Sequence, residues 1–429
     1  MSKRKVLYVS HNHPVLHPGG AEAYALELYE RMRSTDGWEP LFLARIGPNV
    51  AMDRTARPGT PFSSVGEDPN QYFLFTETQH FDFFKMTSTD KALYTRHLTA
   101  FLEAHRPDVV HFQHTQFIGV DMISLVRRVL PQAAIVYTLH EFLPICNNNG
   151  QLVRTMNGER CMESSPRRCH ECFPHIAQEE FFLRKRFIQT HFDAVDLFTA
   201  PSRFLMQRYI DWGIARERIV FEDYGRRRRA RVSEPSPSRA PNRIGFFGQI
   251  SHFKGVNVLL RAMNLLAADG IEAHCWLHGA NLELQPEPFK QEFGDLLATA
   301  EDSVTFVGRY DHKDLPSLMQ DLDWIVVPSI WWENSPLVIQ EAFLHGRPVI
   351  CSDIGGMAEK VTHNVNGLHF RAGDPRSLAA ALREAVTNPR LARRLRANAP
   401  PVFDIEEHIT NLMRLYHQLG GQRSIEMSA

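Results

Sequence analysis

Short apolar runs alternate with longer stretches in which apolar residues recur every three or four positions, and the alternation occurs twice along the chain. The runs at 6–10, 40–44, 108–112, 134–139 and 197–200 are apolar almost throughout. Strands of a parallel sheet, buried on both faces, have this pattern. Residues 21–33, 92–105 and 179–190 carry helical spacing between them. The pattern restarts with a strand at 243–247, a helix over 256–268 and strands at 273–277, 304–307 and 324–327. It closes with strands at 348–351 and 368–370 and a helix over 377–387. Alternating elements of this kind predict an α/β protein built from two doubly wound, Rossmann-like domains.

Residues 224–242 separate the two halves. Four consecutive arginines, Arg226 to Arg229, precede a Ser/Pro-rich stretch, which is linker composition. The expected division is therefore 1–223, linker 224–242, a second domain 243–402, and a C-terminal helix and tail 403–429 packing back on the first domain. From Gly420 onward the tail reads as loose. A length of 429 residues suits more than one core.

A net charge of −1, with 43% hydrophobic and 23% charged residues, argues for a globular chain and against a nucleic-acid binder. No apolar run approaches the ~20 residues that span a bilayer. Lys3, Arg4 and Lys5 precede only four apolar residues, which read as a buried strand rather than a signal peptide, so a cytoplasmic location is the default. Phe181 to Ile188 mixes aromatic and basic residues. An internal helix with a basic outer face is preferred there over peripheral contact with the inner face of an anionic membrane.

In open α/β sheets ligands bind beyond the carboxyl ends of the strands. Candidate chemistry falls at those ends: Gly19 and Gly20 after the first strand, His140 after another, Gly248 to Gly255 in the second half, and Glu333 after the strand at 324–327. Ser335 suits an N-cap and Pro336 the first helical position. That places the amides of Leu337 and Val338 at a helix N-terminus, where phosphate binds readily. Glu333 and Glu341 flank this point. A capped surface helix with incidental acids is the plain alternative.

Taken together, the pieces resemble glycosyltransferase family 4, the group 1 glycosyl transferases of GT-B fold. They are Pro18-Gly19-Gly20-Ala21-Glu22, Thr138-Leu139-His140, Phe247-Gly248-Gln249 through Lys254-Gly255, and Glu333 with Glu341. Gly346-Arg347-Pro348, Gly355-Gly356 and Glu359, Asn366-Gly367-Leu368 and Gly373-Asp374 complete the run. The resemblance is densest over 243–374. It implies two domains facing a cleft and a retaining transfer of a hexose from a nucleotide-diphosphate sugar, UDP- or GDP-linked, to a glycan, lipid-linked or small-molecule acceptor. No nucleic acid or catalytic cofactor is implied. By the same resemblance Lys254 neutralises the diphosphate, Glu333 binds the transferred sugar, Glu341 binds the ribose, and His140 lies near the reacting carbon. Asn334, Ser335, Pro336 and Leu337 would line the donor pocket.

Gln249 departs from the pattern, since the family has arginine there; Arg309 is one replacement cation. Trp331 and Trp332 read equally as sugar-stacking or core residues. His111 and His114 are weaker candidates at the same sheet edge. Asp321 and Asp323 have a metal-diphosphate spacing but directly precede a buried strand. A GT-B sugar-nucleotide epimerase and a non-catalytic binding partner stand as the other functional readings.

Four of six cysteines, Cys146, Cys161, Cys169 and Cys172, fall within one polar stretch at 146–172. The spacing suits a structural tetrathiolate zinc site, with disulfides, an iron–sulfur cluster or free thiols as alternatives. Cys275 and Cys351 fall in strands and read as core.

Overall fold

A computed structural model describes residues 3–17, 19–47, 61–227 and 240–426. Pro18, Arg228, Arg229 and the Ser/Pro stretch of the expected linker lie outside them. The chain forms two compact units, Met1–Gly225 with Ile405–Ala429, and Arg226–Asp404.

The first unit holds β1 (Arg4–Ser10), β2 (Trp38–Ile46), β3 (Phe62–Val65), β4 (Asp68–Phe75) and a small hairpin, β5 (Phe81–Asp82) with β6 (Thr87–Ser88). It continues with β7 (Val109–Phe112), β8 (Ala134–Thr138), β9 (Leu197–Ala200) and β10 (Ile219–Phe221). Its main sheet runs β10-β9-β8-β7-β1-β2-β4-β3. All pairings are parallel except β3 with β4. Every residue of β7, β8 and β9 is buried, the reason those runs are apolar without alternation.

The C-terminal helix Ile405–Glu426 belongs to this unit and continues past Gly420, where sequence suggested a loose tail. Its Tyr416 hydroxyl lies 2.6 Å from His111 Nδ1, and His408 Nε2 lies 2.7 Å from the Tyr24 hydroxyl. The helix expected over 92–105 begins as a π-helical stretch, Leu93–Leu98, before Thr99–His105.

The second unit holds β11 (Arg243–Phe247), β12 (His274–His278), β13 (Val304–Gly308), β14 (Trp324–Val327), β15 (Val349–Ser352) and β16 (Gly367–Phe370). They form one all-parallel sheet, ordered β13-β12-β11-β14-β15-β16. The helices Val256–Ala268 and Pro375–Thr387 share one core with one face, and Leu315–Gln320 and Leu337–Leu344 pack in another. Asp374 caps the helix Pro375–Thr387 by accepting from the amides of Arg376 and Ser377, with proline at the first turn. No helix among the described residues is long and apolar enough to cross a membrane.

Both strand orders reverse direction at the centre of the sheet, between β1 and β7 in the first unit and between β11 and β14 in the second. Adjacent loops diverge at such a reversal and leave a crevice at the strands' carboxyl ends.

Candidate active site

In the second unit the loops after β11 and β14 leave the sheet on either side of this reversal. Lys254 ends the first loop, immediately before the helix Val256–Ala268. Gly255 makes the turn with φ +69°, and a Cβ there would collide with the Pro328 carbonyl, so the two loops meet through a glycine. Lys254 Nζ lies 2.6 Å from Glu333 Oε1. Ser329 Oγ (2.7 Å) and Trp331 Nε1 (3.1 Å) donate to the same oxygen. Burial raises the Glu333 carboxyl's pKa, but the Lys254 ammonium and these donors more than reverse that, so it stays ionised. The loop is propped from behind: the Gly356 amide donates to the Glu333 carbonyl at 2.8 Å, and a Cβ on Gly356 would strike the Asn334 carbonyl.

The following helix is Leu337–Leu344, with Pro336 as its N-cap and no side-chain cap. Sequence placed Ser335 at the cap and Pro336 inside the first turn. The helix starts one residue later because Pro336 keeps ψ at 115°, outside the helical range, and Ser335 is buried instead of capping. The amides of Leu337 and Val338 still open the helix, at its positive end.

Glu341 is one turn further in and buried. Its Oε1 accepts from Arg226 Nη2 at 2.6 Å and lies 2.7 Å from His312 Nε2. Burial again raises this carboxyl's pKa, and His312 and Arg226 outweigh it, leaving it below the usual carboxylate range. Composition assigned Arg226 to a solvated linker. Its backbone instead bonds to Phe403, and its side chain ends on Glu341. Arg309, the expected substitute cation, is exposed after β13, two strands from β14's partner β11 in sheet order; His312 of that loop is the residue that reaches Glu341. Gln249 is exposed after Gly248. Asp323 is buried and accepts from the Arg243 amide at 3.0 Å, a strand-anchoring role.

In the first unit, loops after β1, β7 and β8 gather a polar cluster. Gly19 precedes the helix Gly20–Arg33, whose first turn carries Glu22. His11 Nε2 lies 3.1 Å from Glu22, the His11 and His114 rings are 4.2 Å apart, and His114 Nε2 lies 3.3 Å from Glu141. Burial raises Glu22's pKa, and hydrogen bonds from His11, from its own backbone amide and from Asn12 together more than reverse this, lowering it to about 2. His11 itself is pushed down by burial, so it donates as a neutral ring. His140 uses both ring nitrogens, Nδ1 with the Tyr224 hydroxyl at 2.5 Å and Nε2 with Gln113 Oε1 at 2.9 Å. Burial drives its pKa well below the ordinary value and keeps it neutral. Tyr224, assigned by composition to the linker, is buried here.

His11, Gln113, Tyr224, Arg226 and His312 were not singled out by sequence as site residues. The signal for His11 and Gln113 was present, since each directly follows a strand end, but strand order decides which ends adjoin. In the other predicted cluster, all four cysteines line one small cavity, and no disulfide joins them. The stretch Phe181 to Ile188 lies on the helix Gln178–Phe192, with Phe181 and Ile188 buried and Phe182 and Leu183 exposed. Arg184, however, is not on an outer face: it is buried and donates to the carbonyls of Phe84, Leu143 and Pro144.

Two sheet units of doubly wound type, the second with an ammonium–carboxylate pair and a helix N-terminus at its crevice, define a two-domain α/β protein. Comparison with known proteins refines this. A family model described as Glycosyltransferase Family 4 matches residues 18–221, and one described as Glycosyl transferases group 1 matches residues 229–401. The chain belongs to glycosyltransferase family 4. It is 31% identical over 189 residues to glycogen synthase of Mycobacterium tuberculosis, covering 42% of this chain and 43% of that protein, so the match spans less than half of that relative. HepE from Anabaena, solved with UDP and glucose, superposes with a TM-score of 0.66 at 18% identity, covering 97% of this chain and 100% of that one. Sucrose-phosphate synthase from Thermosynechococcus elongatus gives 0.69 at 17% identity, covering 98% and 100%. The fold is the GT-B fold.

Proposed function

We propose that this chain is a retaining glycosyltransferase that moves a hexose from a nucleoside-diphosphate sugar, UDP- or GDP-linked, to a glycan, lipid-linked or small-molecule acceptor. The carrying observation is Lys254 set 2.6 Å from Glu333 where β11 and β14 diverge, beside the helix N-terminus at Leu337. The ammonium and the amides of Leu337 and Val338 meet the diphosphate, whose charge grows as the glycosidic bond breaks. Glu333, with its donors crowded on Oε1, offers Oε2 to a sugar hydroxyl, and Glu341 offers its second oxygen to the ribose. In the first unit, Gln113 Nε2 is buried with no partner among the described residues and stands beside neutral His140 as a donor for a sugar hydroxyl.

In the reaction the bond from the anomeric carbon to the diphosphate oxygen breaks. The acceptor oxygen bonds to that carbon on the same face, and its proton passes to the departing phosphate oxygen. Lys254 and the helix amides carry the leaving-group charge in this scheme, and no protein nucleophile is required. Sugar-binding relatives favour the reading: HepE was solved with UDP and glucose. Exposed, neutral Gln249 favours a second reading, a binding partner without turnover.

Thermal-shift screening of UDP-, GDP-, ADP- and dTDP-sugars identifies the donor, and NMR of the product's anomeric proton tests retention. Nucleoside-diphosphate release with and without acceptors separates a transferase from an epimerase or a binding partner. Lys254→Ala and Glu341→Ala should each lower turnover at least ~tenfold, about 1.4 kcal/mol. Full activity in both variants would remove the donor site assigned here.

A further inference from the structure

Residues 146–172 are a segment without a core. Leu152 is its only apolar side chain that is fully buried, while Met156 and Met162 are 66% and 42% exposed. Nevertheless it is folded in three small pieces, each placing cysteine beside one cavity. A turn closes where the Cys146 amide donates to the Phe142 carbonyl at 2.8 Å. A short hairpin pairs Val153 with Arg160 and ends with the Cys161 amide on the Leu152 carbonyl at 2.6 Å. The helix Pro166–Cys172, capped by Ser165, carries Cys169 and Cys172 three positions apart, hence on one face. All four cysteines line a single cavity of about 20 Å³, room for one water or one ion.

We infer that Cys146, Cys161, Cys169 and Cys172 form a tetrathiolate site for one zinc ion, and that this ion is what fixes the segment's fold. The donor set is that of a closed structural site, four sulfurs from a loop that cannot bury enough surface to hold itself. Among the described residues no three metal-ligating side chains are yet gathered at binding distance, so the thiols must rotate inward onto the ion. At present Cys161 Sγ donates to the Glu163 carbonyl at 2.9 Å, a bond that the inward rotation would break. Binding as a tetrathiolate exchanges four thiol protons, released to solvent, for one Zn²⁺ and leaves the centre with a net charge of −2. Arg154 and Arg168 line the same cavity with Glu163, each already paired with a carboxylate (Arg154 with Glu171, Arg168 with Glu163), while buried Arg184 fixes the carbonyls of Leu143 and Pro144 just ahead of Cys146.

The test is elemental analysis of the full-length chain, purified without chelator or added metal. About one equivalent of zinc is expected, retained through gel filtration. Mercurial titration should release it, and Cys169→Ser or Cys172→Ser should lose it. Because those variants can fail to fold, the wild-type chain is also stripped and titrated with Co²⁺. A thiolate-to-cobalt charge-transfer band with tetrahedral d–d absorption, displaced by zinc, is expected. Less than half an equivalent of zinc, iron in its place, disulfides in the purified chain, or octahedral cobalt would each overturn the assignment. None of these measurements depends on sugar transfer, so they stand or fall apart from the proposed activity.

Discussion

Glu341 shows how two basic side chains can share one oxygen of a buried carboxylate. Both of its protein donors, Arg226 and His312, fall on Oε1, which restrains the carboxyl group and leaves Oε2 without a protein donor among the described residues. A charge-assisted bond of this kind holds its geometry better than a neutral one. If Glu341 receives the ribose, Arg226 acts through it on binding and not on bond breaking. Arg226→Gln should therefore raise the donor KM about five- to tenfold, the ~1–1.4 kcal/mol of one such bond, with kcat within about twofold. Steady-state kinetics with varied donor measure this split, and calorimetric titration of the nucleoside diphosphate checks it without turnover. A fall in kcat at constant KM would move Arg226 into the chemical step.

At the scale of elements, the donor loops keep their shape through glycines, and the two kinds of glycine in the second unit can be told apart. Gly356 packs its α-carbon against the Asn334 carbonyl, so Gly356→Ala forces backbone apart. It should cost about 1–3 kcal/mol of stability and weaken donor binding as the Glu333 loop shifts. Gly294 lies exposed in the helix Glu287–Thr299 with open space around it, and Gly294→Ala should be neutral or stabilise by up to ~1 kcal/mol. Denaturant melts of the two variants compare them; equal effects would mean the close approach at Gly356 is unimportant. The same elements show what was legible in sequence. The strands β11 and β14 are continuous apolar runs, so Gly248–Gly255 and Glu333 were readable as candidates from position alone, whereas Lys254 was named by the family resemblance. The edge strands β3 and β4 were not: their positions are mostly half-exposed, so no apolar run marks them. Nor was the His11–Glu22–His114–Glu141 cluster, because its members come from loops after β1, β7 and β8, and only the sheet order makes those loops neighbours. Arg226 was misread because local composition near a chain crossing resembles a linker, whereas its partner is 115 positions away.

For the molecule as a whole, the first unit carries a store of buried imidazoles that should govern its response to acid. Burial pushes His111 down to about 3, His140 well below its ordinary value, and His11 down as well. His111 is fully enclosed between the Tyr416 hydroxyl and Thr138, and His140 between Tyr224 and Gln113. In the unfolded chain each titrates near 6.5. Between that value and its lower folded value, the unfolded state holds a proton that the folded state lacks, so stability rises with pH and is lost as pH falls. Each such histidine contributes a slope approaching ~1.4 kcal/mol per pH unit below 6.5. Carboxylates held low in the fold, Glu333 and Glu341 among them, add to the loss only once pH drops under about 4.5, in the same direction. Acid sensitivity should therefore begin two pH units earlier than carboxylates alone would set it. Between pH 6.5 and 5.5 the Tm should drop by at least about 4 °C, against little change from pH 8 to 7. His111→Gln, which keeps hydrogen-bonding capacity but cannot titrate, should flatten that slope even if it lowers the Tm at pH 7.5. A melting temperature that is level down to pH 5, or an unchanged slope in the variant, would mean that these rings take up protons in the folded state.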